Sequence, residues 1–214
     1  MDGQGHPPVA QGLTVGLREK DFGPEPMPEF SRWLDHAVKQ AGQRNPNAMT
    51  LCTVGADGWP QGRIVLLKGH DAKGFVFYTN SRSEKGQALA AHPRAELVFH
   101  WDALGRQVRA RGEVQPLSPA ETLAYFMTRP RGSNLAAWAS QQSQAVESRE
   151  AMEARLAEQE RRFENKDVEP PPHWWGYRLS PWRVEFWQEG AFRFHDRFAY
   201  TLDAGRWAFT RLYP

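Results

Sequence analysis

The feature that most constrains this chain is the way its apolar residues run in short β-type segments between turn signals. Residues 48–54, 62–68 and 75–78 are separated by Ala56-Asp57-Gly58 and Asp71-Ala72-Lys73-Gly74, the pattern of an antiparallel meander. Two more strands fit residues 94–101 and 106–114. The last third holds strand patterns at 176–179, 184–188 and 192–200, with 207–212 as a further candidate. Helical stretches lie between groups of strands rather than alternating strictly with them. That arrangement argues for an antiparallel β-barrel with attached helices, mainly β in an α+β class, over a doubly wound sheet.

The helices are marked by spacing and by caps. Phe30, Trp33, Leu34, Ala37, Val38 and Ala41 recur at helical intervals, so an amphipathic helix covers one face of the sheet, with Gly42 as its stop. Ser83 caps a short helix running to Ala91. Ser118-Pro119-Ala120-Glu121 combines a serine cap, a proline at the first helical position and a glutamate three residues on, a strong start signal. A polar helix is expected over 146–163, and Glu169 to Pro172 reads as a stiff linker. Residues 1–28, rich in Gly and Pro, read as a mobile arm, and residues 29–214 as one domain.

Several function classes drop out. With 27 basic against 25 acidic residues, the formal charge of +2 gives no global attraction to nucleic acid or anionic membranes, so an anion site must be local. One cysteine, Cys52, excludes disulfides within the chain and paired-cysteine zinc sites, and reads as an inert thiol. No apolar leader and no 18-residue apolar run is present, which points to a cytoplasmic protein that does not cross a membrane. Gly-x-Gly-x-x-Gly, P-loop and His-Glu-x-x-His patterns are missing, so a bound phosphate must be held in another way.

The polar groups that stand out are basic residues inside strand-like runs. Arg63 and Lys68 flank Ile64-Val65-Leu66-Leu67; Gln107, Arg109 and Arg111 share a strand face by alternation, as do Arg193, His195 and Arg197 in the last third. A solvated face accounts for any single member, but the grouping favours an anionic or electron-rich ligand. Tyr125, Arg129 and Ser133 supply guanidinium and hydroxyl donors suited to a phosphate, and Gln142-Ser143 adds neutral donors. Nine tryptophans fit a stacking site for a flat ring and a packed core equally well. Residue patterns alone reach a β-rich binder of a phosphorylated small molecule.

Seven ordered motifs go further. Arg63-Ile64-Val65-Leu66-Leu67-Lys68, Phe77-Tyr78-Thr79-Asn80, Arg106-Gln107-Val108, Tyr125-Phe126 with Arg129-Pro130-Arg131, Gln142-Ser143, Glu185-Phe186-Trp187 and His195-Asp196-Arg197 resemble the signatures of pyridoxamine (pyridoxine) 5'-phosphate oxidases, over residues 17–214. The resemblance implies a split β-barrel homodimer with two FMN sites at the subunit interface. It implies that Arg63, Lys85, Gln142 and Ser143 hold the FMN phosphate region, while Ile64, Val65, Leu66, Leu67, Lys68, Tyr78, Thr79, Gln107, Trp187 and Arg197 line the rest of the flavin. Lys68, Tyr125, Arg129 and Ser133 would take the substrate phosphate, with Arg193 and His195 clasping the pyridine ring as the catalytic pair. The implied reaction oxidises C4' of pyridoxamine or pyridoxine 5'-phosphate to give pyridoxal 5'-phosphate, with hydride passing to the flavin and dioxygen leaving as hydrogen peroxide.

Two departures accompany the resemblance. The family often carries an Arg-x-x-Tyr element near its N-terminus, and residues 6–20 contain none; where it often reads Ser-Arg-Lys, this chain has Ser83-Glu84-Lys85. The rival readings are a flavin oxidase of the phenazine-biosynthesis type, a non-catalytic pyridoxal phosphate carrier and an RNA-binding barrel. The phosphate set at Tyr125, Arg129 and Ser133 argues against the first, and the near-neutral charge against the last.

Overall fold

A computed structural model describes residues 16–214. In chain order its elements are α1 (Pro26–Gln40), β1 (Ala48–Val54), β2 (Pro60–Leu66), β3 (Gly69–Asp71), β4 (Gly74–Asn80), α2 (Glu84–Ala91), β5 (Arg94–Trp101), β6 (Arg106–Pro116), α3 (Pro119–Met127), α4 (Arg131–Ala139), α5 (Arg149–Arg162), β7 (Trp174–Gln188), β8 (Asp196–Asp203) and β9 (Arg206–Leu212). The fold is mainly antiparallel β with attached helices, as the strand pattern required. The strands form one nine-stranded sheet in the order β2-β1-β5-β6-β7-β4-β3, with β8 and β9 continuing from β7. Just beyond β2, the Lys68 N–H donates to the Val76 carbonyl of β4 at 2.8 Å, which draws the two sides of the path together and curls the sheet. Among the described residues no helix is long and apolar enough to cross a membrane.

The expected meander of the first three strands is corrected. β1 and β2 form a hairpin, but β4 pairs with β7, and β5 takes the other edge of β1. The strand is also longer at the C-terminal end than its sequence suggests. Ser180-Pro181 reads as a break between two strands, yet β7 runs through it by a bulge that leaves Trp182 unpaired between the Gly112–Pro181 and Arg111–Arg183 pairs. Proline has no N–H to give to a ladder, so a bulge is where a strand tolerates it. The bulge also divides the strand's partners: residues 174–179 pair with β4, and residues 183–188 with β8.

α1 closes one end of the barrel. Proline at its first turn fits the fixed φ of that position, and Met27, Phe30, Trp33, Leu34 and Ala37 form the buried stripe. Phe30 meets Phe75 edge-on (4.8 Å between centroids) and Trp33 meets Phe186 in the same way (5.1 Å). Truncating either ring to alanine would cost about 3–5 kcal/mol. The helix begins at Pro26 rather than Phe30, and residues 17–25 are tied to the barrel. Leu17 N–H donates to Asp196 Oδ2 (2.8 Å), Tyr200 Oη donates to Gly23 O (2.7 Å), and Phe22 packs on Phe198. Thus Leu17, Phe22 and Met27, in the segment read as an arm, pack against the core; residues 1–15, including most of the stretch without Arg-x-x-Tyr, lie outside the described residues.

The caps at Ser83 and Ser118 form as expected, the second as a reciprocal box with Glu121. The polar helix is shorter than the expected 146–163 and starts behind Ser148. α4 was hidden in what reads as a loop, because Pro130 and Gly132 look like breakers when Pro130 in fact precedes the first turn.

Candidate active site

The residues singled out by the sequence fall into three groups. The first surrounds the start of α2. Ser83 caps the helix by accepting from the Gly86 N–H (3.3 Å), and its hydroxyl donates to Asn80 O (2.6 Å). Lys85 folds back over this cap, so that its Nζ donates to Ser83 Oγ and to Gln142 Oε1, both at 3.1 Å. Thr79 Oγ1 reaches the same Gln142 oxygen (3.3 Å), and Ser143, held at a left-handed φ of 73°, accepts from the Glu84 N–H (3.2 Å). Arg63 completes the group. Its Nη1 donates to Thr53 Oγ1 (2.7 Å) and Leu51 O (3.2 Å) across the β1–β2 hairpin.

This first group is poor in negative charge. Lys85 is buried, and no carboxylate makes an ion pair with Lys85 or Arg63 among the described residues. Burial, and after it the Arg63 guanidinium, push the Lys85 ammonium below the usual lysine range, with Glu84 opposing the shift. A buried cation whose partners are neutral oxygens is satisfied best when an anion enters.

The second group is an aromatic stack with a cation on its edge. Tyr78, Tyr125 and Trp174 lie nearly parallel, with centroids 4.0 Å apart for Tyr78–Tyr125 and 5.0 Å for Tyr78–Trp174. Gly176 makes room for this: a Cβ there would come within 2.6 Å of the Tyr78 ring. Arg129 sits over the Trp174 ring at 4.7 Å and donates through Nη2 to Ser133 O (3.1 Å). Its Nη1 is buried with no partner. Burial holds the guanidinium below its ordinary range. An unmade buried donor costs about 1–3 kcal/mol, so this atom is primed for an acceptor from outside the chain.

The third group lies at the far end of β7. Gln107, Trp187 and Arg197 are cross-strand neighbours on β6, β7 and β8. Glu185, buried, accepts from Arg197 Nε (3.1 Å) and Nη2 (2.9 Å), and Nη1 donates to Tyr213 O (3.0 Å). His195 lies 4.6 Å from the Trp187 ring and its Nδ1 accepts from the Gly190 N–H (3.1 Å). In the neutral ring this leaves the proton on Nε2.

Two expectations need correction here. Arg193, His195 and Arg197 do not share a strand face, because residues Ala191–Arg193 form a 3-10 turn and β8 begins only at Asp196. Phe192 and Arg193 have φ values of 54° and 64°, and the side chains of Phe192, Arg193 and Phe194 stand exposed. Arg63 and Lys68, five residues apart, would face opposite ways in one regular strand, but β2 stops at Leu66, so Lys68 lies past the strand, exposed beside β4. Within the same run, Leu67 is buried in the core and Val65 packs against the core, while Ile64 is exposed and Leu66 half-buried.

Sequence reasoning missed Trp174 and Gln61, whose Oε1 accepts from Arg63 Nη2 (3.0 Å), and gave Glu185 only as part of a motif. Trp174 follows the proline linker in a Trp-Trp pair, a signal that core packing explains as well. The Glu84 carboxylate accepts from Gln61 Nε2 (3.1 Å) and makes no ion pair with Lys85 or Arg82 among the described residues.

Comparison with known proteins agrees with this layout. The pattern of the pyridoxamine 5'-phosphate oxidase family matches residues 34–162, and that of the pyridoxine 5'-phosphate oxidase C-terminal dimerisation region matches residues 174–214, the stretch of β7 to β9. A pyridoxine/pyridoxamine 5'-phosphate oxidase of Synechocystis sp. is 51% identical over 199 residues, covering 93% of this chain and 92% of its own. One from Cupriavidus necator is 54% identical over 199 residues, covering 92% and 93%. Among solved structures, PhzG from Burkholderia lata in complex with tetrahydrophenazine-1-carboxylic acid superposes with a TM-score of 0.87 at 32% identity, over 94% of this chain and 99% of that one. Family patterns that together span most of the chain, and relatives at half identity over nine-tenths of it, establish that this protein is an oxidoreductase of the pyridoxamine 5'-phosphate oxidase family.

Proposed function

We propose that this enzyme binds FMN and oxidises pyridoxamine 5'-phosphate, pyridoxine 5'-phosphate or both to pyridoxal 5'-phosphate, as a cytoplasmic homodimer with its sites between subunits. The observation that carries the reading is the pair of separate cation sets without carboxylate partners: Arg63 with Lys85, and Arg129 with its buried, unpartnered Nη1. A flavin phosphate and a substrate phosphate are two anions, and each set suits one. Arg63, Lys85, Gln142 and Ser143 would hold the FMN phosphate; Arg129, Tyr125, Ser133 and Lys68 would hold the substrate's.

FMN bound there supplies a two-electron acceptor that dioxygen restores, with hydrogen peroxide as product. The chain's own groups position and polarise. Arg129 fixes one end of the substrate beside the Tyr78–Tyr125–Trp174 stack. His195, with its Nδ1 engaged by Gly190, presents Nε2–H as a donor to the substrate ring or its C4' substituent, and Arg193 adds a cation beside it. Arg197 is held by Glu185 next to Trp187, which fits it to the flavin rather than to the substrate.

Strand length supports a homodimer. Trp174 and Trp187 are the strand markers of the second and third groups, and thirteen residue steps of about 3.3 Å put them roughly 30–40 Å apart after coil and bulge. One substrate cannot touch both within one chain. Two copies related by a two-fold axis can bring the loop of one to the stack of the other.

The second reading, a flavin oxidase of the phenazine type, is favoured by the PhzG superposition. The molecule in complex with PhzG is a carboxylated ring, and a carboxylate would also suit Arg129. Both readings are tested together. The purified protein should be yellow, and pyridoxine 5'-phosphate should give peroxide and aldehyde in equal amounts. A protein that carries flavin and turns over neither phosphate ester would overturn the main reading.

A further inference from the structure

We propose that Gln61 is a positioning residue of the phosphate cradle: it clamps the Arg63 guanidinium and, through the same amide, keeps the Glu84 carboxylate off the cations. Gln61 lies two residues before Arg63 on β2, so both side chains leave the same face. Its Oε1 accepts from Arg63 Nη2 at 3.0 Å, its backbone carbonyl accepts from Nη1 at 3.0 Å, and its Nε2 donates to Glu84 Oε1 at 3.1 Å. A cation at one end and an anion at the other fix the orientation of the amide, since only the oxygen can accept and only the nitrogen can donate.

The clamp has two consequences. With Nη1 occupied by Thr53, Leu51 and Gln61, the guanidinium cannot swing, and its Nε edge stays available to an anion. The second concerns Glu84, the one carboxylate among the charges acting on Lys85. It occupies the first turn of α2 next to Lys85, where it could pair with the ammonium and compete with a phosphate. Its hydrogen bond to Gln61 draws it to the β2 side instead. The β1–β2 turn leaves room for this amide beside the Asp57 side chain: a Cβ on Gly55 would come within 2.5 Å of Asp57 Oδ1 and 2.9 Å of Gln61 Nε2.

The proposal rests on the FMN reading, and the test separates the two. Apoprotein would be titrated with FMN and with riboflavin, which lacks the phosphate, by quenching of flavin fluorescence. The native chain, Gln61→Leu, Gln61→Thr, Glu84→Gln and the Gln61→Leu/Glu84→Gln pair would be compared. Each Gln61 variant should bind FMN about tenfold more weakly, the scale of one charge-assisted hydrogen bond, with riboflavin affinity unchanged. Glu84→Gln should recover most of that loss in the Gln61→Leu background, because the released carboxylate is what competes. Native FMN affinity in both Gln61 variants would overturn the proposal, as would equal weakening of FMN and riboflavin, the mark of a merely structural role. A native chain that binds neither flavin would overturn the cofactor reading and this proposal with it.

Discussion

If each site draws its stack and Arg129 from one subunit and its Arg193–His195 loop from the other, two inactive variants should restore each other. Arg129→Ala removes the cation over Trp174, and Arg193→Leu removes the exposed cation of the loop. Each variant alone should lose at least about tenfold in kcat/KM, equivalent to about 1.4 kcal/mol. In a mixed dimer one site collects both substitutions and the other collects neither. Random pairing makes half of the dimers mixed, so about one quarter of all sites are native, and the mixture should show about a quarter of native activity. The two variants would be co-expressed with different affinity tags, purified over both, and assayed for peroxide from pyridoxine 5'-phosphate; the doubly purified fraction, mixed dimers alone, should reach about one half. The alternative is equally sharp: sites built within one chain leave no native site in any mixture. Activity equal to the mean of the parents, in a fraction that carries both tags, would refute the two-subunit site and with it the argument from the length of β7.

Three further outcomes follow from the structure. Arg129→Met should raise KM for the phosphate ester about tenfold to hundredfold while leaving flavin content and, within about 1 kcal/mol, apoprotein stability unchanged, because the bond lost to Ser133 is offset by relief of the unmade Nη1 donor; steady-state kinetics and thermal melts check both halves. FMN affinity should fall as pH rises, beginning below the ordinary lysine value of 10.5, because the cradle needs Lys85 charged and burial depresses it; Lys85→Arg should remove that dependence in fluorescence titrations. Tyr200, whose hydroxyl is pushed up to about 12 chiefly by burial, stays protonated in the folded chain while its unfolded counterpart ionises near 10. Stability should therefore decline between pH 10 and 12 in urea unfolding, and Tyr200→Phe should flatten that decline while losing about 0.5–1.5 kcal/mol at neutral pH with the bond to Gly23.

The parts of the fold legible in the sequence are those where one local signal decides. The caps at Ser83 and Ser118 formed as their spacing required, and so did the stripe of α1 apart from Val38, which is exposed, since capping and amphipathicity act within a turn or two. Where a residue type has two structural uses, the sequence alone misleads. Pro130 reads as a loop marker and stands at a helix start; Pro181 reads as a strand end and sits in a bulge. The alternation of Arg193, His195 and Arg197 imitates a strand, but Gly190 approaches the Phe194 carbonyl so closely that a Cβ would lie 2.1 Å from it, and that tight reversal requires a turn. Pairing between distant strands, such as β4 with β7, has no local signal at all. The site's cations were legible as residues; that Arg63, Lys85 and Arg129 have no carboxylate partner among the described residues, while Arg197 is held by Glu185, became visible only in three dimensions.

That β7 carries both ends of the proposed site has a consequence for specificity. The proposed anion-binding half is built from a buried lysine and two half-buried arginines with several restraints each: Lys85 under Gln142, Arg129 between Trp174 and Ser133, Arg63 across a hairpin. The loop at 190–195 is different in kind. It holds two non-glycine residues in the left-handed region, each at a cost of about 1–3 kcal/mol, and it is tied internally by Gly190 N–H to His195 Nδ1 and Phe194 N–H to Ala191 O. A rigid anchor tolerates little change in where a phosphate lies, whereas a strained and sparsely held loop can be reset by one or two substitutions. Choice among phosphorylated rings should accordingly reside in residues 191–195, which the proposed dimer draws from the second subunit, and not in the stack proposed to hold the phosphate.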